Sequence, residues 1–393
     1  MNNIPVLSFF TGAGFLDMGF MDAGFNIIWR NECDPWFIIG FTHGMFSLTG
    51  SESDSKIHNK NSIIDVGPKE ILKEAFGKSG RPKTFGFIGG PPCPDFSVGG
   101  KNRGSEGEKG QLSKVYVERI KELSPSFFLF ENVPGLLKTS KHRSFLTQLM
   151  LQLEREYVLD IKILNALDQG VPQDRERVFI VGFRRAWLRT ELRLKIPHNV
   201  NDFLFSSNLV PKNRENGLPG LKSDHWFPWP LDDRYSNAKK RFEWPGQTPF
   251  GSEPERPPGI PDELMVQKYI CKPDETANLP NGTEGFEPKS GRFKTIAEGD
   301  DSRKSFKRLH RWRYSPAAAY GNNEVHLHPI EARRLTVREA LRIQTVSDTY
   351  VLPRQMPLSH KFKTIGNGVP VKLGRAVAES IAKVLKGEFN GNF

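Results

Sequence analysis

The sequence predicts an α/β protein built on a doubly wound, mostly parallel sheet, with a second, smaller and irregular domain beside it. Three observations carry this. Short apolar runs alternate with helical patterns up to about residue 185, periodicity then fades while proline accumulates, and helical spacing resumes near residue 331. Alternation of strand and helix is the pattern of a parallel sheet covered on both faces.

The elements follow in order. PVLSFF (5–10) is a nearly continuous apolar run, as expected of a strand buried on both faces, and FLDMGFMDAGF (15–25) has helical spacing. A second strand closes at the acid of RNECD, Glu32. TFGFIGG (84–90) and PSFFLFEN (125–132) are further strands, with a helix over LSKVYVERIKEL (112–123) between them. SFLTQLMLQLEREY (144–157) gives another helix, and YVLDIKIL (157–164) and RVFIVGF (177–183) give two more strands. Of the 29 prolines, 16 fall between 191 and 330, where WFPWP and EPERPPGIP interrupt any period. EARRLTVREALRIQ and VPVKLGRAVAESIAKVL (369–385) are then amphipathic helices. The expected organisation is a catalytic domain over 1–188, an irregular domain over 189–328, and a segment over 329–393 that rejoins the first domain.

Composition narrows the partners. No apolar run approaches the ~20 residues of a membrane span. The start, MNNIPVLSFFTGAG, lacks the basic residues and cleavage site of a signal peptide, so a cytoplasmic location without a membrane partner is expected. Cys33, Cys93 and Cys271 form no CxxC pair, which suggests neither a disulfide framework nor a metal site. A net charge of +11 and a pI near 9.4 favour a polyanionic partner without identifying it. The stretch SRKSFKRLHRWR (302–313) concentrates Arg303, Lys304, Lys307, Arg308, Arg311 and Arg313 among the aromatics Phe306 and Trp312. Such a mixture suits phosphate contact and base stacking, or equally a basic face packed on the protein.

Four motifs could carry chemistry. TGAG after the first strand is a glycine turn before a helix, where an open sheet seats a nucleotide-like ligand. Gly12 and Gly14 supply GxG, but Asp17 stands where a pyrophosphate-binding fingerprint needs glycine, which points to an adenosine without a diphosphate. Glu32, twenty residues after Gly12, is placed to grip ribose hydroxyls. In GGPPCPDFSVGG (89–100), Cys93 follows the C-terminal end of a strand; it is either a small buried residue in a turn or a nucleophile at the sheet's reactive edge. Glu131 ends a strongly apolar strand, where partial burial would lift its pKa toward general-acid range, unless it serves a structural ion pair. QDRERV places Gln173, Arg175 and Arg177 at alternate positions, hence on one face.

The combination FFTGAG, NE, PPCxxFS, ENV, ILNALDQGVPQDRER, RRLTVREALRIQ and GNGVPV resembles the cytosine-5 DNA methyltransferases of restriction-modification type, in that family's order and approximate spacing. The likeness covers roughly 4–185 and 328–385, leaving the irregular middle as the family's variable target-recognition region. It implies the S-adenosylmethionine-dependent methyltransferase fold, S-adenosylmethionine as donor with S-adenosylhomocysteine as product, no metal, and a cytosine flipped out of double-stranded DNA. It implies attack by Cys93 on carbon 6, a Glu131 contact to ring nitrogen 3 and the amino group, and a pocket completed by Arg175 and Arg177, with Arg177 near the carbonyl oxygen. The cofactor positions carried over are Phe10, Gly12, Gly14, Glu32, Pro92, Leu112, Asn367 and Val369. Pro94 replaces the usual glutamine, Cys33 replaces the aromatic that often follows the ribose acid, and the adenine-contacting acid corresponds to Ser62 or Asp65. A functional pairing with a restriction endonuclease is expected, on bacterial DNA. A monomer is expected too, since one flipped base needs one active site.

Three other readings compete. Some proteins with this catalytic core methylate transfer RNA, although these tend to have a smaller middle region and a threonine at the position of Ser97. A DNA-binding module without catalysis is countered by the presence of Cys93, Glu131 and Arg177. An NAD(P)-dependent oxidoreductase is countered by Asp17.

Overall fold

A computed structural model describes residues 3–92, 108–138, 140–196, 225–287, 291–303, 305–317, 320 and 326–389. Its centre is a six-stranded sheet in the order β2-β1-β3-β4-β7-β5. The strands are β1 (Ile4–Phe9), β2 (Phe25–Asn31), β3 (Gly86–Gly89), β4 (Phe127–Asn132), β5 (Tyr157–Asn165) and β7 (Glu176–Arg184), while the two-residue β6 (Gln173–Asp174) lies outside this sheet. β1 to β4 run parallel, and β7 enters antiparallel between β4 and β5. Sequence patterning located β1, β3, β4, β5 and β7 to within a few residues, and of β2 gave only its end at Glu32. It could not reveal that β7 reverses direction, because a doubly buried run looks the same either way.

Alternation along each strand sends side chains to opposite faces. On one face Leu7, Phe9, Phe87, Phe128, Phe130 and Ile180 pack with the helices α3 (Pro68–Phe76), α4 (Glu108–Leu123) and α5 (Ser140–Leu151). On the other, Val6, Ile27, Ile88, Leu129, Phe179 and Val181 pack with the last helix, Val371–Leu385. That last helix also lies against α1 (Phe15–Asp22), so closely that a Cβ on Gly19 would sit 2.5 Å from the backbone nitrogen of Arg375. Backbone cannot step aside as a flexible side chain can. Gly19→Ala is therefore expected to cost about 1–3 kcal/mol through overpacking, read as a lowered urea midpoint at unchanged slope.

The helix expected over 15–25 stops at Asp22, since Gly24 turns the chain with φ +88° and Phe25 already belongs to β2. Another helix, α2 (Pro35–Thr49), was not anticipated. PWFIIGFTHGMFSLT is apolar almost all round and offers no polar stripe to mark a period. Its start is nonetheless well signalled, with Pro35 in the first turn and Asp34 accepting from the Trp36 and Phe37 backbone at 2.9 and 3.3 Å.

Residues 225–328 hold only short helices and two-residue strands among the described residues. Small cores form around Tyr235, Ile260 and Leu264, and around Phe293, Ile296 and Leu327. Val266, Ile270 and Leu309 instead share a cluster with Phe15, Val337 and Leu341. The basic stretch is partly consumed internally. Arg308 is buried and donates to the carbonyls of Phe293, Ile296, His328 and Glu331, while Arg311 forks onto the buried Glu298 carboxylate. These two cations hold the irregular segment together, which is the second of the two readings the sequence left open. Lys304 lies outside the described residues.

Candidate active site

The strand order reverses between β1 and β3: β1 leads outward to β2, while β3 leads to β4 on the other side. Crevices form beyond the carboxyl ends of strands at such a switch point. Here β1 delivers the Phe10–Gly14 loop and β3 delivers Gly90–Pro91–Pro92, the approach to Cys93. Cys93 itself lies outside the described residues.

The β1 loop is built on positive φ at Phe10 (54°), Gly12 (58°) and Gly14 (79°). A side chain on Gly14 would strike the Phe41 ring at 2.7 Å. Glu32, just past β2, anchors the loop by accepting from the Gly12 backbone at 2.8 Å and from those of Cys33 and Asp34 at 2.8 and 2.9 Å. Burial pushes its carboxyl above the ordinary range, while the three backbone donors pull it back. Beneath the loop, buried Asp17 pairs with Arg30 at 3.1 Å and accepts from Ser8 Oγ at 2.6 Å. An acid in place of the third fingerprint glycine fits a ligand without a diphosphate. Phe10 and Leu112, from α4, both pack at the margin of the same core, and Phe10 meets Tyr116 edge-on. Asn31 donates to the carbonyls of Asn59 and Asn61, which fixes the loop carrying half-buried Ser62 and exposed Asp65 beside the end of β2.

At the end of β4, Glu131 Oε1 pairs with Arg177 Nε at 3.1 Å, and each side chain is 12% exposed. Burial raises the Glu131 carboxyl against the opposing pull of Arg177 and Arg175. The same burial lowers the Arg177 guanidinium, with Glu131 opposing. Space for this carboxylate comes from Gly90, where a Cβ would stand 2.6 Å from Glu131 Oε2. Sequence reasoning did not single out Gly90, although the GG doublet before the prolines was its signal. Asn132 ties the two strand ends together, donating to the Pro91 carbonyl at 3.2 Å. Half-buried Pro92 follows directly.

The alternation in QDRERV is visible in burial: Gln173 and Arg175 are enclosed, and Glu176 is exposed. The turn is shaped by Asn165, whose Oδ1 accepts from the Arg175 backbone at 3.2 Å and whose Nδ2 donates to Asp174 at 2.7 Å. Arg175 reaches the C-terminal segment, donating from Nη2 to the carbonyls of Gly366 and Gly368. Asn367, between them, is exposed, whereas Val369 is buried in the core beneath the sheet. The structure thus assembles two neighbouring groups of the sequence-selected residues. One is Phe10, Gly12, Gly14 and Glu32; the other is Glu131 with Arg177. No group of three or more metal-ligating side chains occurs among the described residues.

A buried acid held by an arginine, at a strand end near the glycine loop after β1, suits polarisation of a nitrogen heterocycle. The sequence model of the C-5 cytosine-specific DNA methylases matches residues 4–383. The chain is 39% identical over 391 residues to the Type II methyltransferase M.NmeDI of Neisseria meningitidis serogroup C, covering 98% of this chain and 84% of that one. It is 30% identical to the Type II methyltransferase M.MthTI of Methanothermobacter thermautotrophicus, covering 99% and 100%. In fold it is similar to the S. pombe Dnmt2 methyltransferase (TM-score 0.58, 12% identity, 100% of both chains) and to the Entamoeba histolytica methyltransferase EhMeth (TM-score 0.55, 12% identity, 99% of both). By its sequence, from the first strand to the last helix, this chain belongs to the C-5 cytosine-specific DNA methylase family.

Proposed function

We propose that this protein methylates carbon 5 of a cytosine extruded from double-stranded DNA, with Cys93 as nucleophile and S-adenosylmethionine as donor. The observation that carries the reading is the buried Glu131–Arg177 pair beside the strand end that leads into Pro92 and Cys93. The thiolate of Cys93 adds to carbon 6 of the ring. Glu131, whose carboxyl burial raises against the pull of Arg177 and Arg175, passes a proton to ring nitrogen 3, so the charge that develops there is neutralised and carbon 5 becomes enamine-like. Arg177 holds the Glu131 carboxyl and faces the ring carbonyl oxygen. Once carbon 5 has gained the methyl group, loss of its proton to a base expels the Cys93 thiolate and restores the aromatic ring.

The cofactor fits the residues around β1: a buried acid for ribose hydroxyls, a glycine loop with room for a ligand, and Asp17 against a diphosphate. Phe10, Gly12, Gly14, Glu32, Pro92, Leu112, Asn367 and Val369 would hold it. When bound it supplies an electrophilic methyl group and leaves as S-adenosylhomocysteine. Residues 189–328 serve target recognition, on a catalytic unit made of 1–188 and 329–393. The relatives' names, Type II methyltransferase, support a restriction-modification setting. A partner endonuclease, bacterial DNA and action as a monomer complete the proposed reading.

The test is transfer of labelled methyl groups from S-adenosylmethionine to duplex DNA and, in parallel, to transfer RNA. Label in DNA is expected. Label in transfer RNA alone would replace this reading with the RNA one, and DNA binding without label in either would favour a non-catalytic module.

A further inference from the structure

Arg175 and Arg177 are two residues apart but differently employed. Arg177 engages the Glu131 carboxylate. Arg175, only 1% exposed, gives Nη2 to two backbone carbonyls, Gly366 at 2.7 Å and Gly368 at 2.9 Å, and places Nη1 3.5 Å from Gln173 Oε1. Those carbonyls belong to the end of the helix Leu358–Asn367, where main-chain acceptors lack helical partners and the helix dipole is negative. A planar, permanently charged fork suits such a site better than a lysine's point charge. The turn has little slack. A Cβ on Gly366 would lie 2.8 Å from the Tyr320 backbone, and one on Gly368 would lie 2.2 Å from the Phe15 ring. Phe15 opens α1 immediately after the Gly12–Gly14 loop.

We propose that Arg175 is a positioning residue that buckles the strand carrying Arg177 to the Gly366–Gly368 turn, and so sets the cofactor-side turn around Asn367 without touching the target base. The inference rests on the methyltransferase reading. It assigns two neighbouring arginines separate tasks: Arg177 on the base side, Arg175 on the cofactor side. Because Arg175 acts through the backbone of the turn, its loss should appear first in cofactor affinity, before any effect on the base.

The test compares Arg175→Lys and Arg175→Gln with Arg177→Lys by two measurements. One is calorimetric titration with S-adenosylhomocysteine in the absence of DNA. The other is covalent trapping by duplex DNA carrying 5-fluorocytosine at saturating S-adenosylmethionine. Both Arg175 variants are expected to bind S-adenosylhomocysteine about tenfold more weakly, the scale of losing one charged hydrogen-bond donor, with trapping recovered at saturation. Arg177→Lys is expected to keep the affinity and lose trapping. Unchanged affinity with lost trapping in the Arg175 variants would overturn the proposal. Should those variants not fold, hydrogen–deuterium exchange on the unaltered protein decides: S-adenosylhomocysteine alone should protect 173–177 together with 364–370. Protection of 173–177 that requires DNA would refute it. An unaltered protein that binds no S-adenosylhomocysteine fails the methyltransferase reading itself, which separates the two failures.

Discussion

Cys93→Ser protein should transfer methyl groups to DNA at least about three orders of magnitude more slowly than the parent, the scale on which enzymes lose rate when a covalent nucleophile is removed. A thiol supplies a few per cent of thiolate at neutral pH, whereas a serine hydroxyl supplies almost no alkoxide unless a base activates it. Binding to DNA should change little, because phosphate contacts made elsewhere dominate affinity. Two readouts check this: the single-turnover rate of label transfer, and gel-resolved trapping on DNA containing 5-fluorocytosine. The parent should form a denaturation-resistant adduct and the variant none. An adduct that survives in Cys93→Ser would assign the nucleophile to another residue.

Glu131→Gln is the second large effect, with kcat expected to fall by about 10²–10⁴-fold, the usual contribution of a positioned general acid. Glutamine keeps an oxygen for Arg177 Nε and nearly the same volume, so affinity for S-adenosylhomocysteine should stay close to that of the parent. The pH dependence follows from the direction of the shift. Burial raises the Glu131 carboxyl, so the folded protein keeps its proton to a higher pH than the unfolded chain does. In the parent, kcat should therefore decline as pH rises through that raised value, and the variant should lose this limb. Stability has the same sign. The folded state binds more protons in that window, so the contribution of Glu131 is present below the ordinary glutamate pKa and is lost as pH rises through the raised one. Chemical unfolding of parent and variant across that window should show a shallower pH slope for Glu131→Gln.

Much of the fold was legible because doubly buried strands are written as apolar runs, and the acid ending one of them, Glu131, was conspicuous against FFLF. The cofactor-side acid was legible from its spacing to Gly12, and the two are joined by a hydrogen bond. Other features leave no local trace. Helix α2 has no polar face, and the antiparallel entry of β7 depends on where its neighbours stand. The partners of Arg175 are carbonyls on a turn nearly two hundred positions later, which any sequence would supply. The basic stretch left two readings open for a related reason. Charge density shows in a sequence, but the buried carboxylate that neutralises Arg311 lies on another segment.

The docking of the last helix on α1 has a consequence for how the protein is born. The Tyr350 hydroxyl donates to the carbonyl of Ala13, 337 positions earlier, and Gly19 on α1 meets the backbone at Arg375. The loop that forms the crevice is synthesised more than three hundred residues before these supports. Contacts of such long sequence separation close late and slowly, because the entropy of the intervening chain is lost before they form. A nascent chain therefore carries the sheet's first strands with one face bare and the crevice unshaped. The crevice takes its final form only after synthesis has passed Arg375.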